Sequence, residues 1–179
     1  MVEEKVRRRK ALPRGLLFLY GGLTHWLFLR GFVRLEYPLG TSRAFVDDPL
    51  TNAGVAVLGG IFVAWLLMPI VNLFQEGRMP AVLPSILRAS GRAMLATALT
   101  LETFYIVASV FSAFRLAASQ GIDPIGGSIS FFIEIQTYGM IALALGLPFA
   151  VMYGTAFSLF LKILEIRAAR ATRERAAQR

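Results

Sequence analysis

The sequence predicts an all-α polytopic membrane protein: a four-transmembrane-helix bundle whose fourth helix is kinked and extends into the cytoplasm. Three observations carry that expectation. Of 179 residues, 56% are hydrophobic and only 17% are charged, against roughly 25% charged in a soluble domain. The apolar residues fall into four long runs, each of a length that can cross a hydrocarbon core of about 30 Å. The basic residues gather in alternate stretches between those runs.

The elements follow in order. Residues 1–14 form a basic cytoplasmic tail with Lys5, Arg7, Arg8, Arg9, Lys10 and Arg14, read as polar and frayed. The first span covers about 15–33. A basic start before an apolar run resembles a signal peptide, but no small-residue cleavage site follows and Arg30 and Arg34 stand in its place. An uncleaved signal anchor is the better reading.

A polar loop, 34–50, leads to a second span at about 53–74, with Thr51 or Asn52 placed to cap its start. Residues 75–92 hold Glu76, Arg78, Arg88, Arg92, Pro80 and Pro84, and Met79–Leu87 is apolar enough to lie in the interface. The third span, about 93–114, contains one acid, Glu102. Gly121, Pro124, Gly126 and Gly127 are expected to keep 115–135 out of helix. The last span, about 136–161, includes Pro148, which removes a helix hydrogen bond and predicts a kink. Two spans within 129–164 do not fit, because two helices and a turn need about 40 residues or more. The membrane domain is thus 15–164, and 162–179 is a basic helical tail.

Sidedness can be counted. The net charge is +8, with 16 Arg and 3 Lys. The two tails carry six basic residues each and the 75–92 loop three, so 15 of the 19 fall on one side. Cytoplasmic segments carry that excess, so both termini are expected in the cytoplasm, most simply at a bacterial inner (plasma) membrane. The same bias explains the basic tails without nucleic acid and makes them contacts for the lipid bilayer's anionic headgroups.

Few residues offer chemistry. Glu102 lies about nine residues into its span, where a charge costs at least about 2.5 kcal/mol. It reads as a proton or cation site, or as a protonated carboxyl bonding another helix. His25, the single histidine, lies at a similar depth and can pair with Glu102 if the first and third spans are neighbours. The simpler reading, and the preferred one, is a structural hydrogen bond from His25 to a threonine or to backbone. Arg30 and Arg34 share a helix face. They suit an interfacial anchor or an outer-face site for an anion or lipid headgroup. The tyrosines and tryptophans read as scattered, several of them at interfaces.

The last span also shows small residues every four positions: Ala142, Gly146, Ala150, Gly154 and Ser158. Such a row lets another helix approach closely, within the bundle or from another subunit. Ala56, Gly60 and Ala64 form a weaker row in the second span. There is no cysteine, one histidine cannot build a zinc-protease site, and neither Gly59-Gly60 nor Gly126-Gly127 begins a phosphate-binding loop. No cofactor or metal is called for.

The leading functional expectation is a non-enzymatic small membrane subunit, accessory or scaffold protein. It would pack against itself as a homo-oligomer or against a larger membrane complex. The alternatives are a proton- or cation-coupled transporter or channel component using Glu102 with His25, and a lipid- or quinone-binding membrane protein.

Overall fold

A computed structural model of the chain describes residues 2–36, 49–120 and 124–177. Four α-helices make up almost all of it: α1 (Val2–Glu36), α2 (Pro49–Gln75), α3 (Val82–Gln120) and α4 (Pro124–Ala177). No strand occurs among the described residues. Among the described residues, two stretches are long and apolar enough to cross a membrane, α2 itself and Ala142–Ala171 of α4. Only 39% and 28% of their most apolar windows are buried inside the protein. A core helix of a water-soluble domain is largely buried instead, so these exposed apolar faces suit lipid.

The helices are longer than the sequence suggests. α1 begins at Val2 and runs through the basic segment, with Pro13 inside it. α2 begins at Pro49, so Thr51 and Asn52 do not cap it; both are buried in its first turns. Proline suits that first position, where its missing N–H has no helical partner to lose. The same reason corrects the expected loop at 115–135. α3 continues to Gln120 and Pro124 opens α4, so Gly126 and Gly127 lie inside a helix rather than interrupting one. Only 121–123, with the expected breaker Gly121, falls outside the described part of that connection, as do Arg43, Asp47 and Asp48 of the first loop.

The α2–α3 turn is set by Gly77, the one residue with positive φ among the described residues, at 67°. Gly77 N–H donates to Phe74 O (3.1 Å) and Arg78 N–H to Leu73 O (2.9 Å). This is the Schellman arrangement, in which a left-handed glycine lets the last carbonyls of a helix find donors. α3 then starts at Val82, so the apolar stretch expected to lie in the interface is largely the first turn of α3.

α4 is a continuous helix of 54 residues past Pro148, about 80 Å long at 1.5 Å per residue. Pro148 deprives the Ala144 carbonyl of its helix partner, and both residues lie on the exposed face. The opening therefore does not point a bare carbonyl into the bundle.

The helices pack antiparallel in chain order. α3 and α4 share the most extensive contact, α1 and α2 the next, and α2 and α3 a smaller one; α1 and α4 touch little. The core runs along these seams through Leu17, Val63, Leu67, Ile70, Ala89, Ala93, Ala96 and Ala150. A second cluster joins Phe28, Leu101 and Ala142, and a third joins Leu29 to Val55.

Candidate functional site

The polar centre of the bundle is built around His25. α1 carries it towards α2, where the absence of a side chain on Gly59 makes room for the imidazole: a Cβ there would collide with the ring. The ring is buried, with 1% of the residue exposed. Nδ1 lies 2.9 Å from Gly21 O. A carbonyl only accepts, so Nδ1 bears the proton. In the neutral ring Nε2 is then the acceptor, and Thr97 Oγ1 on α3 donates to it at 3.3 Å.

The chain of contacts continues to α4. Thr97 Oγ1 lies 3.0 Å from the Tyr153 hydroxyl, which is also 2.9 Å from Ala93 O. Tyr153 has one hydroxyl proton for these two acceptors. The Ala93 carbonyl can only accept, so the Tyr153 proton goes to it, and the single Thr97 proton is shared between the Tyr153 oxygen and His25 Nε2. Tyr20 ties α1 to α4 a second time by donating to Tyr153 O at 2.8 Å. The Tyr20 and Tyr153 rings meet edge to face with centroids 6.1 Å apart, and His25 meets Tyr153 at 5.8 Å. Three helices thus share one hydrogen-bonded cluster and α2 supplies the gap that admits it.

The two readings of His25 can now be separated. Its ring nitrogens are engaged by backbone and a threonine, the arrangement preferred from sequence. Glu102 is not their partner: it is five residues beyond Thr97, about 7.5 Å along α3. It is half-buried and engaged elsewhere. Phe104, two residues on, reaches Gly54 near the start of α2, so Glu102 lies nearer that end of the bundle than its middle. Arg30 is exposed, with its guanidinium 5.7 Å from the centre of the Trp26 ring, a cation–π distance. Arg34 continues the same helix one turn later.

The small-residue row of α4 is brought together as one buried face. Ala142, Gly146, Ala150, Gly154 and Ser158 are all buried. A Cβ on Gly154 would lie 2.8 Å from Ser90 Cα and 2.9 Å from Ala93 Cβ; one on Gly146 would lie 3.1 Å from Thr97 Cγ2. The partner is therefore α3 of the same chain, and the row does not present itself to another subunit. Ser90 Oγ adds a 3.2 Å contact to Thr155 Oγ1 across this seam. On the other side of α3, Arg92 donates to Leu66 O of α2 at 3.2 Å, one turn before Pro69.

Sequence reasoning missed Thr97, Tyr153 and Tyr20 as members of this centre. The signal was present in their type: hydroxyl-bearing residues inside apolar spans seek partners on other helices. Tyr153, read from sequence only as one of the scattered aromatics, is 5% exposed and lies in the core. Among the described residues no group of three His, Asp or Glu side chains can hold a metal ion. The chain matches no family model, no curated protein and no solved structure.

Proposed function

We propose that the chain is a four-span integral membrane protein with both termini in the cytoplasm, at a bacterial plasma membrane. There it serves as a non-enzymatic subunit or scaffold that packs against itself or a larger membrane complex. Register supports the four spans. Gly21 of α1 lies against Gly59 and Val63 of α2, and Gly146 of α4 against Thr97 of α3, while Arg92 of α3 reaches Leu66 of α2. A bilayer that encloses the apolar lengths of α2 and α4 therefore also encloses the parts of α1 and α3 packed along them. Outward residues there are apolar: Leu16, Leu19, Leu23 and Leu27 on α1, and Leu95, Ile106 and Val107 on α3.

The observation that carries the non-enzymatic reading is the employment of His25. The one side chain suited to proton transfer near neutral pH is sealed and hydrogen-bonded at both nitrogens, joining helices rather than facing a substrate. The transport alternative gains no support from that arrangement. With the α4 row spent internally, a partner would use the outward leucine and valine faces. Cross-linking in membranes followed by sizing in gentle detergent tests this. The expected result is a particle larger than one chain or a co-purifying membrane protein. A strictly monomeric particle with nothing attached would contradict it.

A further inference from the structure

The weak contact between α1 and α4 leaves a crevice at the end of the bundle that carries the α2–α3 turn. Its volume is about 620 Å³, within the roughly 300–1,000 Å³ of small-ligand sites. Buried Leu17, Val71 and Leu161 form its floor, and exposed Leu16 and Phe160 form its lips. The Tyr20 hydroxyl in its wall is already committed to Tyr153 O. The interior therefore offers no free hydrogen-bonding group and suits a hydrocarbon chain. A helix about 10 Å across fills about 420 Å³ per turn, so this space holds little more than one turn of a partner helix but accommodates a slender chain along its length.

Polar and charged residues adjoin the lining in sequence. Arg14 follows Pro13, a lining residue, and is exposed with no hydrogen bond or ion pair among the described residues. Lys162, the next cation on α4, is instead held by Glu165 at 2.6 Å and by Met79 O. Gln75, also exposed, lines the crevice itself.

We propose that this crevice is a binding site for one anionic glycerophospholipid of the cytoplasmic leaflet. An acyl chain lies between α1 and α4, and the headgroup phosphate sits against Arg14 with Gln75 as a second donor. The inference rests on the membrane reading above and deepens it from general bilayer contact to a defined site. The phosphate supplies the counter-charge that Arg14 lacks, and the chain covers Leu17 and Leu161 where no helix does.

The experiment has two stages. Alkaline carbonate extraction of membranes first asks whether the protein is integral; release into the supernatant would overturn the membrane reading itself. Protein retained in the pellet is then reconstituted with phosphatidylglycerol or phosphatidylcholine and examined by native mass spectrometry. The expected result is one retained phosphatidylglycerol per chain, with phosphatidylcholine retained less. Arg14→Gln, an exposed change that leaves the bundle intact, should cut that preference roughly fivefold, the value of one surface cation. Ala156→Phe, which fills the crevice from its exposed wall, should lower retention of both lipids roughly tenfold. Equal retention of the two lipids by the unaltered protein, or retention unaffected by both substitutions, would overturn the site. So would a second copy of the chain in place of lipid.

Discussion

The α3–α4 and α1–α2 seams are both made by small residues, yet they are made differently. Along α3–α4 the small residues repeat every four positions on α4, and the facing helix answers with Ala89, Ser90, Ala93 and Thr97. Closeness there is distributed over five turns. Along α1–α2 it is concentrated where two glycine pairs cross: Gly21 and Gly22 meet Gly59, Val63 and the Ala56 carbonyl, while Gly60 lies under Phe18. Into that one crossing the protein places its only histidine. A distributed seam loses one contact when one residue changes. A concentrated one has a single point of failure, because the imidazole, its gap at Gly59 and its partners on two other helices all depend on the same spacing.

That contrast can be broken first at Gly59. Gly59→Ala should be, with Gly21→Ala, among the most damaging single methyls in the bundle, costing about 3 kcal/mol of stability, at the upper end of overpacking penalties. The added carbon meets a ring fixed at both nitrogens, which has no free end to swing away. Denaturation in mixed micelles checks the size. If His25 is the obstacle, the same substitution in a His25→Ala background should cost far less; an undiminished cost would show that helix backbones, not the ring, set the limit. In the distributed seam, Gly154→Ala should cost less, about 2 kcal/mol, since Ser90 Cα and the Ala89 carbonyl at 3.0 Å must move but neighbouring turns of the row can share the shift.

Thr97→Val should cost about 1 kcal/mol, the scale of interhelical hydrogen bonds in membranes. It preserves shape while cutting the link between His25 and Tyr153. An imidazole nitrogen resonance that does not respond to this change would remove Thr97 from the cluster. Gly91→Ala is the control. No atom lies within 4 Å of its added carbon, so the gain in helix propensity, up to about 1 kcal/mol, should appear as a higher melting temperature. A loss instead would mean that the exposed face of α3 has a close neighbour.

The distributed seam was legible in the sequence because periodicity is a one-dimensional signal: Ala142 to Ser158 announces a face without knowledge of the fold. The concentrated seam was not. Gly21-Gly22 and Gly59-Gly60 are separate dipeptides, and only the register of α1 against α2 makes them one feature. The same limit separated His25 from Thr97 and Tyr153, which are 72 and 128 positions away in the chain. The expectation that His25 bonds a threonine came from the chemistry of a buried ring; which threonine required the register. Helix ends were misjudged for a local reason. Pro49 falls in the expected 34–50 loop and Pro124 among the expected breakers, although each stands at the first position of its helix, where proline is favourable.

The central claim is a bundle that crosses the membrane four times with both ends and the α2–α3 turn on one side. Because the chain has no cysteine, single substitutions can report this directly. Asp48→Cys, Arg78→Cys and Ala171→Cys are each treated with a membrane-impermeant maleimide in spheroplasts, before and after permeabilisation. The account predicts labelling of the Asp48 variant in intact spheroplasts, and labelling of the other two only once the membrane is opened. Labelling of the Arg78 or Ala171 variant in intact spheroplasts would contradict it.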